Sequence, residues 1–93
     1  MEERIDKTKN IKYSKKFLKS LKRLSDKIID QAEEKEKIFK NNPFDFRLKT
    51  HKLHGKEKEI WAFWINYNYR IKFLFLNNGE VLFLEIGTHD SYK

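Results

Sequence analysis

An α+β fold is what this sequence predicts: a short N-terminal strand, a helical hairpin, then a three-stranded antiparallel meander, with the helices packed on one face of the sheet. Three observations predict it. Asn78-Gly79 separates two runs of β-branched, aromatic and aliphatic residues, the pattern of a hairpin whose two turn residues take positive φ. Between Ser14 and Asn41 apolar residues recur at helical spacing. Trp61 to Asn66 is a further strand candidate just upstream of the hairpin.

Taken in order, residues 1–9 are nearly all polar and are expected to be loosely held. Asn10–Tyr13 forms the short strand. Ser14 is placed to cap a helix through its hydroxyl. Phe17, Leu18, Leu21 and Leu24 then mark one face, and Lys15, Lys16, Lys19, Lys22 and Arg23 the other. Ser25-Asp26 restarts the pattern, with Ile28, Ile29, Ala32, Ile38 and Phe39 as the second apolar stripe. Asn41-Asn42-Pro43 stops it, because proline has no N–H and disfavours helix in the residue before it. Phe44–Glu59 reads as a basic connection.

A two-residue turn at Asn78-Gly79 sets a register: Phe75 opposite Leu82, Phe73 opposite Leu84, Ile71 opposite Ile86. That makes one wholly apolar face, the partner of the helical stripe. The other face then pairs Leu74 with Phe83, Lys72 with Glu85, and Arg70 with Gly87. An odd loop between the third strand and Arg70 turns Ile65, Phe63 and Trp61 toward the helices, and Trp64 and Asn66 toward Arg70 on the open face.

Ninety-three residues make one domain, 1–93, with one modest core. Lysine and arginine number 21 against 14 aspartates and glutamates, a net charge of +7, which points to a polyanionic partner, nucleic acid ahead of an acidic protein segment. There is no cysteine, so disulfides, thiolate chemistry and cysteine metal sites are excluded. No apolar run approaches a membrane span and no secretion signal opens the chain, so a cytoplasmic protein is expected, without a membrane partner. His51, His54 and His89 lack the carboxylate or cysteine partners of a metal site, and no glycine-rich phosphate loop appears. Neither a metal nor another cofactor is expected.

Arg47–Gly55 (R-L-K-T-H-K-L-H-G), Asn68–Ile71 (N-Y-R-I) and Ile86–Asp90 (I-G-T-H-D), with Tyr13–Phe17 (Y-S-K-K-F) and Asn42-Pro43-Phe44-Asp45, together resemble the RelE/ParE superfamily of bacterial toxins, near its YafQ-like mRNA interferase branch. The resemblance runs from about Ile11 to Tyr92. It implies an mRNA endonuclease acting on the ribosome and neutralised by a cognate antitoxin protein. By position it gives catalytic roles to His89, Arg70 and His51, with Lys49 and Lys52 beside His51. Two departures stand out. The YafQ-like branch has Asp-Trp where this chain has Asn68-Tyr69, and Tyr92 is one residue closer to His89 than the corresponding aromatic.

Metal-free RNA cleavage needs a base for the 2′-hydroxyl, an acid for the leaving 5′ oxygen and a cation for the phosphorane. Histidine suits the proton transfers, which makes His89 the expected general acid and His51 the first candidate for the base. The guanidinium of Arg70 matches phosphate oxygens in pairs. Lys49, Lys52 and Lys56 are candidates to track the RNA backbone, although an exposed lysine-rich loop is equally what solubility requires. Trp64 and Tyr92 are candidates to stack on bases, with plain burial the alternative for Trp64. Two other functions share the fold: a ParE-like inhibitor of DNA gyrase without nuclease activity, and an inactive homologue that only binds an antitoxin.

Overall fold

Two serine hydroxyls start the helices. In the computed structural model, which describes residues 10–55 and 59–88, β1 (Asn10–Tyr13) leads directly into α1 (Lys15–Lys22). Ser14 Oγ accepts from the Phe17 amide at 3.0 Å. Ser25 Oγ does the same for Ile28 at 3.4 Å, opening α2 (Asp26–Asn41), and Asp26 in its first turn complements the helix dipole. Beyond α2, Asn42 Oδ1 accepts from the Phe44 amide at 2.9 Å, and Pro43 is buried. Asp45 caps the 3₁₀ turn Phe46–Leu48 through the Arg47 amide, and Lys49 closes it in the left-handed region at φ 51°.

The remaining strands are β2 (His51–Lys52), β3 (Trp61–Trp64), β4 (Tyr69–Phe75) and β5 (Glu80–Thr88). The sheet order is β1-β5-β4-β3-β2. β3, β4 and β5 form the expected antiparallel meander. The first strand attaches outside it, parallel to β5. β2 adds the opposite edge, antiparallel to β3, inside the stretch whose sequence reads as a plain connection.

The β4–β5 register agrees with expectation at one end only. Tyr69–Lys72 pairs with Thr88–Glu85, including Arg70 opposite Gly87 and Lys72 opposite Glu85. Then the ladder shifts: Phe73 faces Phe83, Leu74 faces Leu82 and Phe75 faces Val81. Leu84 is the extra residue of a β-bulge. Asn78 and Gly79 do take positive φ, 64° and 78°, but the loop is three residues long, and the Leu76 amide donates to the Glu80 carbonyl at 2.8 Å. The bulge absorbs that extra residue. Its backbone is held by Ser14, whose amide donates to the Phe83 carbonyl at 3.0 Å and whose hydroxyl donates to the Leu84 carbonyl at 2.8 Å.

The shift changes the core. Leu82 and Leu84, expected inside, are only half-buried, while Val81 and Phe83 are fully buried. A one-residue slip turns side chains to the other face, and here it brings Phe83 into an aromatic cluster. Phe39 of α2 packs against Phe63, Phe73 and Phe83 at centroid distances of 4.9, 4.9 and 5.4 Å. Phe17, Ala32, Ile65, Ile71 and Ile86 complete the helix-side core.

The β3–β4 loop is odd, as expected, but sits one residue earlier. Ile65 donates to the Tyr69 carbonyl at 2.9 Å, and Trp64 rather than Asn66 pairs with Arg70. Asn66 does not join the open face. Its Nδ2 donates to Gln31 Oε1 of α2 at 2.7 Å, and its Oδ1 accepts from the amides of Asn68 and Tyr69.

Candidate functional site

On the face turned away from the helices, strand register lines up two rows of side chains. One row runs His51, Ala62, Lys72, Glu85; the next runs Trp64, Arg70, Gly87. Lys49 joins the second row from the residue pair before β2: its Nζ lies 5.3 Å from the centre of the Trp64 ring. His51, Lys49, Trp64 and Arg70 thus share one corner of the sheet.

Arg70 is not on an open surface. It is 3% exposed, covered on one side by Trp64, whose ring centre is 3.9 Å from the guanidinium carbon. Gly87 leaves room opposite it. Its Nη1 donates to the carbonyls of Asn66 and Tyr67 at 2.8 Å each, and of Tyr69 at 3.2 Å. The guanidinium therefore ties down the β3–β4 loop. Its Nε is buried with no hydrogen-bond partner among the described residues. A buried polar group without a partner costs free energy, so this N–H is a local cost that the three Nη1 hydrogen bonds offset.

His51 is exposed, and its Nδ1 sits 3.0 Å from the Lys49 carbonyl. A carbonyl only accepts, so Nδ1 carries the hydrogen, and the neutral ring keeps its lone pair on Nε2. That is the arrangement a proton acceptor needs. β2 lies two strands from β4, so the two backbones are roughly 10 Å apart.

Lys72 and Glu85 form the expected ion pair at 3.5 Å, and Lys16 of α1 adds a second contact to Glu85 at 2.7 Å. Burial of the Glu85 carboxyl opposes its charge, but the hydrogen bond from Lys16 and the charges of Lys72 and Lys16 outweigh it, so its pKa is lowered. The sequence places Lys16 on the polar face of α1 without assigning it a partner.

Lys52 departs from the expected grouping. Consecutive residues of a strand point to opposite faces, and Lys52 pairs with Trp61. Its Nζ lies 5.8 Å over that ring, on the helix side, so it does not stand beside His51. Lys56, His89 and Tyr92 lie outside the described residues. β5 is described as far as Thr88, opposite Tyr69. Among the described residues, no group of three or more His, Asp or Glu side chains could hold a metal ion, and no helix is long and apolar enough to cross a membrane.

No family model matches the chain, and no curated protein matches it in sequence. Solved structures do match in shape. YafQ from E. coli strain BL21(DE3) is 21% identical, with a TM-score of 0.69 over 87% of this chain and 93% of its own. The YoeB/ParE toxin from Agrobacterium tumefaciens is 14% identical, with a TM-score of 0.74 over 87% of this chain and 99% of its own. In the archaeal RelE–RelB complex from Pyrococcus horikoshii the matching chain is 18% identical, with a TM-score of 0.70 over 87% and 94%. The chain has the fold of the RelE/ParE toxins, with YafQ among its structural neighbours.

Proposed function

We propose that this chain is the toxin of a type II toxin–antitoxin pair and a metal-independent, ribosome-dependent mRNA endonuclease of the cytoplasm. The observation that carries the reading is the corner formed by His51, Lys49, Trp64 and Arg70, on a chain of net charge +7 with the fold of RelE and YafQ. In this reading His51 Nε2 takes the proton of the 2′-hydroxyl. The 2′ oxygen attacks phosphorus, the bond to the 5′ oxygen breaks, and His89 protonates that oxygen, leaving a 2′,3′-cyclic phosphate and a free 5′-hydroxyl. Arg70 supplies fixed positive charge near the developing phosphorane. Lys49, Lys52 and Lys56 engage the RNA backbone; Trp64 and Tyr92 stack on bases. A partner antitoxin is supported by neighbours solved in complex with RelB and DinJ.

One observation favours a second reading. Arg70 spends Nη1 on three backbone carbonyls, as expected of a residue that shapes a surface. That is what a ParE-like gyrase inhibitor needs, or an inactive homologue that binds only an antitoxin.

The test is expression of wild type, His51→Ala and His89→Ala in growing bacteria, with mRNA cuts mapped on translating ribosomes and folding checked by circular dichroism. Each variant is expected to fold and to lose at least about 100-fold in cutting. Cutting by both at the wild-type level overturns the nuclease assignment. Growth arrest with intact mRNA and double-strand DNA breaks supports the gyrase reading, and no arrest by wild type supports the inactive homologue.

A further inference from the structure

On the helix side of the sheet, beyond the end of α2, four residues form a cluster that the corner described above does not use. Phe44 stacks on Phe75 with centroids 5.8 Å apart and planes 22° apart. Trp61 meets both edge-on at 5.5 Å. Lys52 sits 5.8 Å over the Trp61 ring. Packing has not hidden these rings: Phe44 is 52% exposed and Phe75 40%. Apolar rings left in water with a cation at their edge are costly unless something covers them.

We propose that Phe44, Trp61, Phe75 and Lys52 form a binding site for single-stranded nucleic acid, an unpaired base stacking on the Phe44–Phe75 pair and its phosphate meeting Lys52. Charge selects this occupant. Every base offers a π-face to a ring platform, and its phosphate needs a nearby cation; Lys52 and the net charge of +7 supply it. An apolar protein anchor would fill the ring surface but leave Lys52 without a counter-charge. The topology supports a continuous path. β2 is the sheet's edge strand, and its two residues point to opposite faces, His51 to the corner with Arg70 and Lys52 to the ring cluster. A strand of RNA folded around that edge touches both. This deepens the proposed function and rests on RNA being its ligand, so the test reads binding and not cleavage.

The probe is a short single-stranded RNA with 2′-O-methyl ribose throughout, which cannot be cut, followed by fluorescence anisotropy and compared with a duplex of the same length. Phe44→Ala and Phe75→Ala are expected to weaken single-strand binding by roughly 5- to 100-fold, with far less effect on the duplex. Lys52→Gln is expected to lower the salt slope of binding by about one. Phe46→Ala serves as the control, since Phe46 is 84% exposed and outside the cluster; it should bind as wild type does. Circular dichroism confirms that each variant folds. The inference is overturned if wild type does not bind the single strand, if Phe44→Ala and Lys52→Gln bind like wild type, or if single strand and duplex weaken equally. It is also overturned if the variants keep RNA but lose an antitoxin, which would make the cluster a protein-docking surface. Weakened RNA binding with no cleavage by wild type leaves this site standing and removes the nuclease; unchanged binding with normal cleavage does the reverse.

Discussion

The two ends of the β4–β5 ladder are held by different means. Near Arg70 the pairing is set by complementary partners: Lys72 against Glu85, and a large side chain against Gly87. Near the turn it is set by aromatic packing, because the shift at Leu84 is what allows Val81 and Phe83 to face Phe73 and Phe39 while Ile86 still faces Ile71. A uniform register would force a choice between the ion pair and the aromatic core. One bulged residue keeps both. Charge pairing within two strands is a local matter; which of two phenylalanine or leucine faces is buried depends on what another element brings to it.

The strongest way to break this comparison is truncation on either side of the bulge. Phe83→Ala should cost about 3–5 kcal/mol, whereas Leu84→Ala should cost less than about 1.5 kcal/mol because Leu84 is half-buried on the other face. Urea unfolding measures both, and the reverse order would restore the uniform register. Next is the charged end. Arg70→Ala should cost about 2–3 kcal/mol by leaving the Asn66 and Tyr67 carbonyls without the guanidinium, and Arg70→Lys should recover less than half. If Arg70→Ala unfolds at the wild-type urea midpoint, the guanidinium does not hold the loop.

Ser14→Ala probes the bulge itself, since one hydroxyl caps α1 and donates to Leu84. A loss of about 1–2 kcal/mol is expected, and amide exchange should quicken at both the start of α1 and the bulge. Quickening at the helix alone would separate the two. The smallest effect belongs to Glu85. Its pKa is lowered in the folded state, so its contribution is present above the unfolded value of about 4.5 and is lost as pH falls through the folded value. Thermal melts from pH 6 to pH 3 should show Glu85→Gln with a shallower acid limb. The difference is under about 1 kcal/mol, because Lys16 is well exposed.

Much of the scaffold was legible in the residues. Ser14, Ser25 and Pro43 mark the helix limits because capping and chain-breaking are local effects, whereas Lys72–Glu85 and Arg70–Gly87, counted from a two-residue turn, stand only because the bulge at Leu84 offsets the third loop residue. The odd β3–β4 loop followed from the need to bury Phe63 and Ile65. The bulge was not legible, since its hydrogen bonds come from Ser14, far away in sequence. Nor was the burial of Arg70, which depends on the loop carbonyls curling over it and on Trp64. The separation of Lys52 from His51 was within reach: two adjacent residues diverge as soon as the pair is recognised as a strand, but two residues carry no visible period. Of the candidate site, the corner with His51, Lys49, Trp64 and Arg70 came together, while the ring cluster at Phe44 depended on α2 ending where it does.

The hydroxyl of Ser14 reaches a carbonyl 70 residues further along, and among the described strands β1 has only β5 as a neighbour. Such contacts close late, because the loop between them must be ordered first. During synthesis the helices can form early, but the first strand has nothing to pair with until the last one has been made. The fold carries its own delay, written into the order in which its edges meet.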